Sequence, residues 1–196
     1  MATAPLAART HHDDPTAATT TGTCVSRQRF RDLMAGVCAP VTVVTTSADG
    51  APFGATVSSF TSLSLDPPLI TLALDRHSTL LGKIMTSGRF GVNLLSHGQD
   101  DLAVLFARRG ADRFADTPWH DDGGLPRLDG VAGWMSCDLY QVVEGGDHLL
   151  LLGFVLAAGR SDLPPLVYAH RIFGTHSRFS ERRRPRIADQ IAACAR

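Results

Sequence analysis

Six of the nine residues from Thr56 to Ser64 carry hydroxyls: Thr56, Ser58, Ser59, Thr61, Ser62 and Ser64. They stand in "GATVSSFTSLSLDPPLI" (Gly54–Ile70), whose flanks have the character of a buried strand. Alternation sends Thr56, Ser58, Ser62 and Ser64 to one face and Ser59 and Thr61 to the other, so neither face is simply apolar. A buried hydroxyl costs free energy unless something bonds to it. Two chemistries meet that requirement. One is a turn or edge strand satisfied by water; the other is a polar, planar or phosphorylated ligand held by hydroxyls and backbone N–H groups. The sequence has no GxSxG elbow for a serine hydrolase and no GxxxxGK[ST] phosphate loop.

"LDRHSTLLGK" offers a second chemistry. A helix starting at Ser78 presents free N–H groups and a positive dipole end, which suits a phosphate. Ser78 and Thr79 add hydroxyls and Lys83 lies one turn on; the plain alternative is an ordinary N-cap. A third feature is "EGGDHLLLLG", where Gly145 and Gly146 permit a turn and Asp147 precedes His148 at a strand entrance. A histidine there can donate a proton, contact a nucleotide or simply close the turn.

The elements that must carry these residues follow from punctuation and periodicity. Ser26 caps a helix over "RQRFRDLMAGVC", with Phe30, Leu33, Met34 and Val37 on one stripe. Pro40 ends it, and "VTVVTTS" (Val41–Ser47) is a β-branched strand turning through "ADG" into "APFGATVSS". "LITLALD" is a strand, "STLLGKIMTSG" a helix, "RFGVNLL" a strand, and Gln99 to Arg109 an amphipathic helix. "GADRFADTPWHDDGGLPRLDG" reads as a loop. The strands "VAGWMSCDLYQVVE" and "LLLLGFVLAAGR", joined by "GGD", and a terminal "PLVYAHRIFGTH" complete the domain. Strands do not alternate with helices at dinucleotide-fold spacing, and no GxGxxG opens a helix. The pattern is that of a mainly β protein, a small closed barrel with a few short peripheral helices.

Composition narrows the function classes. The chain has 196 residues, 44% apolar, enough for one domain, expected over residues 24–177. A disordered tail is expected at 1–23, where the adjacent His11 and His12 read as solvated, and a basic solvated tail at 178–196. Lys plus Arg and Asp plus Glu each number 19, so no overall field favours nucleic acid or a membrane, and little opposes self-association. Cys24, Cys38, Cys137 and Cys194 lack CxxC spacing, which leaves neither a zinc site nor a dense disulfide framework. No metal is therefore expected. With no secretory n-region and no apolar run of about 20 residues, the expectation is a soluble, cytoplasmic protein.

Five segments in order, "FTSLSLDPPLI", "SGRFGVNLL", "GADRFADTPW", "GGDHLLLLG" and "PLVYAHRIFG", resemble the flavin reductase-like proteins of the FMN-binding split-barrel class. These are small reductase components of two-component flavin monooxygenases. The resemblance runs from Phe30 to His176. It implies a Greek-key split β-barrel, a homodimer with flavin near the subunit interface, and NADH or NADPH as reductant of FMN or FAD. Reduced flavin would then diffuse to a partner flavin-dependent monooxygenase. By position, Thr56, Val57, Ser58, Ser59 and Ser62 match the segment lining the isoalloxazine and ribityl chain. Asp75, Ser78, Thr79 and Lys83 fall where the family holds the flavin phosphate. The family often reads S-x-T there, whereas Ser78-Thr79-Leu80 displaces the threonine by one position. The intact Gly-Asp-His marks His148 as a nicotinamide-nucleotide contact, while Phe154 stands where many members carry a charged residue. Hydride transfer between two cofactors requires no catalytic acid, base or nucleophile from the protein. The competing reading is a split-barrel module that binds flavin or another planar cofactor without NAD(P)H turnover.

Overall fold

The structure is a computed structural model that describes residues 24–110 and 112–176. The tails expected at 1–23 and 178–196, with the His11–His12 pair and Cys194, lie outside the described residues. Among the described residues the architecture is mainly β, with three short helices.

Strand β2 (Thr42–Ala48) explains its own composition, because Thr42–Thr46 are all buried. Val44 packs into one hydrophobic cluster and Val43 into another on the opposite face. Threonine is tolerated there only because each hydroxyl finds a carbonyl. Thr42 Oγ1 donates to Val57 O at 2.7 Å, Thr45 Oγ1 to Pro126 O at 2.7 Å, and Thr46 Oγ1 to Arg89 O at 2.8 Å. β3 (Ala51–Val57) returns as a hairpin through Asp49 and Gly50, both at positive φ.

Next come β4 (Thr61–Leu65), β5 (Pro68–Asp75), helix α2 (Thr79–Ser87), β6 (Arg89–Leu94), helix α3 (Asp100–Ala107), and the long hairpin β9 (Gly133–Gly145) and β10 (His148–Arg160). The main sheet has seven strands in the order β3-β2-β6-β9-β10-β5-β4, with every pair antiparallel. This is the expected split barrel. The sequence pattern alone suggested a closed barrel, but the sheet keeps two edges, β3 and β4. They are consecutive in the chain, joined through Ser58, Ser59 and Phe60. β4 pairs with β5 only from Pro68 to Thr71, so Leu72–Asp75 run past it without a strand on that side. That overhang is where the barrel is split.

The segment expected to be a loop after Gly110 contains a hairpin, β7 (Trp119–Asp122) and β8 (Leu125–Leu128). Leu125 and Leu128 enter the second hydrophobic cluster with Val43, Phe106 and Trp134. Buried Asn93 fixes this hairpin, accepting from Leu128 N at 2.8 Å and donating to Val43 O at 3.1 Å. A small sheet, β1 (Ala39–Pro40) with β11 (Leu166–Ala169) and β12 (Ile172–Thr175), packs on the second cluster through Leu166, Tyr168 and Phe173.

Helix α1 (Arg27–Ala35) has the expected Ser26 cap, whose Oγ accepts from Arg29 N at 3.3 Å. It buries no residue: Phe30, Leu33, Met34 and Val37 are all exposed, Leu33 at 71%. Among the described residues, no helix is long and apolar enough to cross a membrane.

Candidate functional site

Three concavities meet along the split. The first, about 330 Å³, lies between the end of β3 and the overhang of β5; its lining includes Thr56, Val57, Ser58, Ser59, Asp75, Ser78 and His148. A second, about 510 Å³, continues from it past Thr56, Asp75 and Ser78 to Thr79, His77, Arg109 and Arg113. A third, about 460 Å³, shares Thr56 and Ser58 and passes between α3 and the small sheet, against Tyr168 and Phe173. Volumes of about 300–1,000 Å³ are typical of small-molecule sites.

The structure thus gathers Thr56, Val57, Ser58, Ser59, Asp75, Ser78, Thr79 and His148 along one groove. Ser62 and Lys83 are not among its lining. Ser62 is exposed on β4 beside a bulge and pairs with Ile70. Lys83 leaves α2 on another side, with Nζ 3.3 Å from Asp49 Oδ2 and 4.9 Å from the centre of the Phe53 ring. Phe154 lies within the main sheet, opposite Leu69 and Asp138, and lines none of the three concavities.

The hydroxyls divide by partner. Thr56 Oγ1 donates to Ala103 O at 2.7 Å and so ties β3 to α3. Ser59 Oγ donates to Ala73 O at 3.0 Å and accepts from Ala73 N at 2.9 Å. Both are occupied by the fold itself. Ser58 is exposed at the groove, and Ser78, although the N-cap of α2, makes no side-chain cap bond, which leaves its hydroxyl available.

The loop from β5 into α2 is shaped by Asp75, whose Oδ1 accepts from His77 N at 2.7 Å and whose carbonyl accepts from Ser78 N at 2.9 Å. This local turn presents the N-terminal end of α2 to the groove. Across from it, His148 opens β10 in register with Asp75. Its Nδ1 lies 2.8 Å from Asp147 Oδ1, which orients the ring. That hydrogen bond, followed by the imidazole charge, holds the Asp147 carboxyl below its ordinary range.

Arg109 and Arg113 are not among the candidates read from the sequence, where Arg109 ends the helix read from Gln99 and Arg113 falls in the segment read as a loop. Arg113 is anchored: its Nη1 donates to Gly54 O, and its Nε donates to Arg108 O at 3.1 Å. It thereby closes the C-terminal end of α3 against β3. Gly54 has no room for a side chain there, because a Cβ would stand 2.9 Å from the Phe106 ring.

A seven-stranded sheet with a polar groove along its seam, flanked by a helix N-terminus and arginines, defines a protein of the split-barrel class. The flavin reductase like domain family matches residues 34–177, and the chain belongs to that family. A probable flavin reductase of Rhizobium meliloti is 38% identical over 168 residues, 85% of this chain and 51% of the relative. The reductase component of 4-nitrophenol 4-monooxygenase/4-nitrocatechol 2-monooxygenase from Rhodococcus opacus is 33% identical, covering 76% of this chain and 81% of its own. Among solved structures, the NADH:FAD oxidoreductase SgcE6 of Streptomyces globisporus, in complex with NAD and FAD fragments, superposes with a TM-score of 0.76. It is 28% identical, and the match covers 82% of this chain and 100% of that one. The chain spans about half the length of the first curated relatives it matches.

Proposed function

We propose that this chain is an NAD(P)H-dependent flavin reductase that passes hydride to FMN or FAD and supplies reduced flavin to a partner flavin-dependent monooxygenase. The observation that carries the reading is the single groove on which Thr56–Ser59, Asp75, His77–Thr79 and His148 converge. Its chemistry fits a flavin: exposed backbone and the Ser58 hydroxyl suit the polar edge of a planar ring. The available Ser78 hydroxyl, the α2 N-terminus and the Arg109 and Arg113 guanidinium groups suit a phosphate. Bound flavin supplies a hydride acceptor, and a reduced nicotinamide supplies the hydride. The chain's own work is to hold two flat rings in contact, exclude water and stabilise negative charge. Val57, buried at the groove, contributes an apolar wall, and His148 orients the nicotinamide nucleotide. The names of the relatives as reductase components favour the monooxygenase partner.

The same reading includes a homodimer. The exposed stripe of Val25, Phe30, Leu33, Met34 and Val37 on and beside α1 is apolar surface that a second copy would cover. Exposed Cys24 and Cys38 thiols suit a reducing cytoplasm.

The test is anaerobic. The protein is mixed with FMN or FAD and with NADH or NADPH, and the visible flavin band is followed. Rapid bleaching with one pair is expected and identifies both cofactors. Tight flavin binding without bleaching by either nucleotide would replace the reductase by a cofactor-binding module.

A further inference from the structure

Arg76 is the first residue beyond β5, and it is committed in three directions to one turn. Its backbone N–H donates to Asp147 O at 3.2 Å. Its Nε donates to Gly146 O at 2.7 Å, and its Nη2 pairs with the Glu144 carboxylate. The turn so gripped is the two-residue connection Gly146–Asp147 at the tip of the β9–β10 hairpin, with Gly146 at a φ of 71°. A hairpin tip is where a sheet frays first. An exposed ion pair alone would do little to prevent that, but a guanidinium fork shared between a carbonyl and a carboxylate imposes geometry.

We propose that Arg76 is a positioning residue for His148, fixing the Gly146–Asp147 turn on the β5–α2 loop so that the imidazole stands at the groove. The link is short at every step. Arg76 holds Gly146 and Asp147; Asp147 Oδ1 lies 2.8 Å from His148 Nδ1; and His148 lines the groove opposite Asp75. The loop that carries Arg76 also carries Asp75 and Ser78. One bracket therefore sets the spacing between the histidine side of the groove and its α2 side. The functional part of this inference rests on the proposed role of His148 as a nicotinamide-nucleotide contact.

The experiment compares Arg76→Ala, Arg76→Lys, Glu144→Gln, His148→Ala and the Arg76→Ala/His148→Ala pair in the full chain. Two readouts are used. One is the NMR signal of the His148 ring in the flavin-free protein, assigned by its loss in His148→Ala. The other is the split between KM for NADH or NADPH and kcat at saturating flavin. Arg76→Ala is expected to shift and broaden the His148 signal and raise KM about tenfold with kcat changed less than about twofold. It should add nothing further in the His148→Ala background. Arg76→Lys and Glu144→Gln, each keeping part of the contact, should fall between. An unshifted His148 signal in folded Arg76→Ala overturns the positioning role. A raised KM in His148→Ala with an unchanged KM in Arg76→Ala overturns the inference while leaving the role of His148 standing. An unchanged KM in His148→Ala removes the nucleotide contact; a shifted ring signal in Arg76→Ala would then still establish the positioning.

Discussion

The hydroxyl of Ser59 takes the place of a strand at Ala73. It donates to Ala73 O and accepts from Ala73 N, the two groups that β4 would have paired had it continued along β5. A hydroxyl is the smallest side chain able to serve both a carbonyl and an amide. Ser59→Ala should therefore lower stability by about 1 kcal/mol, water replacing part of the lost pair. Amide exchange at Ala73 should quicken while Leu151 in the core keeps its protection. Unaltered exchange at Ala73 would deny the bond its role.

Two glycines should respond in opposite directions. A Cβ on Gly91 would stand 2.1 Å from the Trp134 ring and 2.7 Å from Thr45 Oγ1. Gly91→Ala should cost about 1–3 kcal/mol through overpacking. Gly82, inside α2 with nothing within 4 Å of its Cβ position, should become about 0.5–1 kcal/mol more stable as alanine. Urea unfolding of the two variants measures both.

Burial, with the charge of Asp138 beside it, pushes the Cys137 thiol up to about 12. Iodoacetamide at pH 8 should modify exposed Cys24 and Cys38 and spare Cys137 until the chain is unfolded. Peptide mass spectrometry reads the sites directly. Labelling of Cys137 in the folded protein would contradict its enclosure between β6 and β10.

Asp147 titrates below its ordinary range because His148 bonds to it. A depressed carboxyl contributes stability that is present above its unfolded value, about 3.9, and is lost as pH falls through the lower folded value. The Asp147–His148 contact should accordingly persist through mild acid and fail only below that unfolded value. A carbon-13 titration of the Asp147 carboxyl tests this, and an ordinary midpoint would argue against the contact.

If a second copy covers the stripe on α1, Leu33→Glu places a charge within an apolar interface and should drive the protein towards monomer at micromolar concentration. Sedimentation velocity distinguishes the species. A wild-type chain that already sediments as a monomer removes the proposed dimer.

The parts of the fold legible in the sequence were those with local causes. Ser26 and Ser78 mark helix starts, Asp49-Gly50 and Gly146-Asp147 mark hairpins, and the β-branched run at β2 reflects burial on both faces. β7 and β8 were not legible because "WHDD" and "LPRL" carry charges and a proline; what makes them strands is the seating of Leu125 and Leu128 in the second cluster and the bond from Leu128 N to Asn93, distant in sequence. The groove was legible where hydroxyls crowd, yet the reason for two of them was not. Thr56 and Ser59 serve Ala103 and Ala73, partners that only the folded chain brings near. Lys83 lies one turn beyond Ser78 by spacing, but rotation about α2 turns its ammonium to Asp49. Arg113 carries the reverse lesson, since a loop arginine with no local pattern braces the groove through Gly54.

The two edges of the sheet belong to consecutive strands, and only Ser58, Ser59 and Phe60 tether them. A ligand bound at that seam, as the proposed function has it, meets the tether and the β5–α2 bend at an edge of the seven-stranded ladder and not in its interior. Residence time and fold lifetime are therefore separate quantities in this architecture. On the proposed function, substitutions in the cores that surround Phe90 or Phe106 should act on how long the chain stays folded, whereas changes at the tether should act on how long it keeps its flavin.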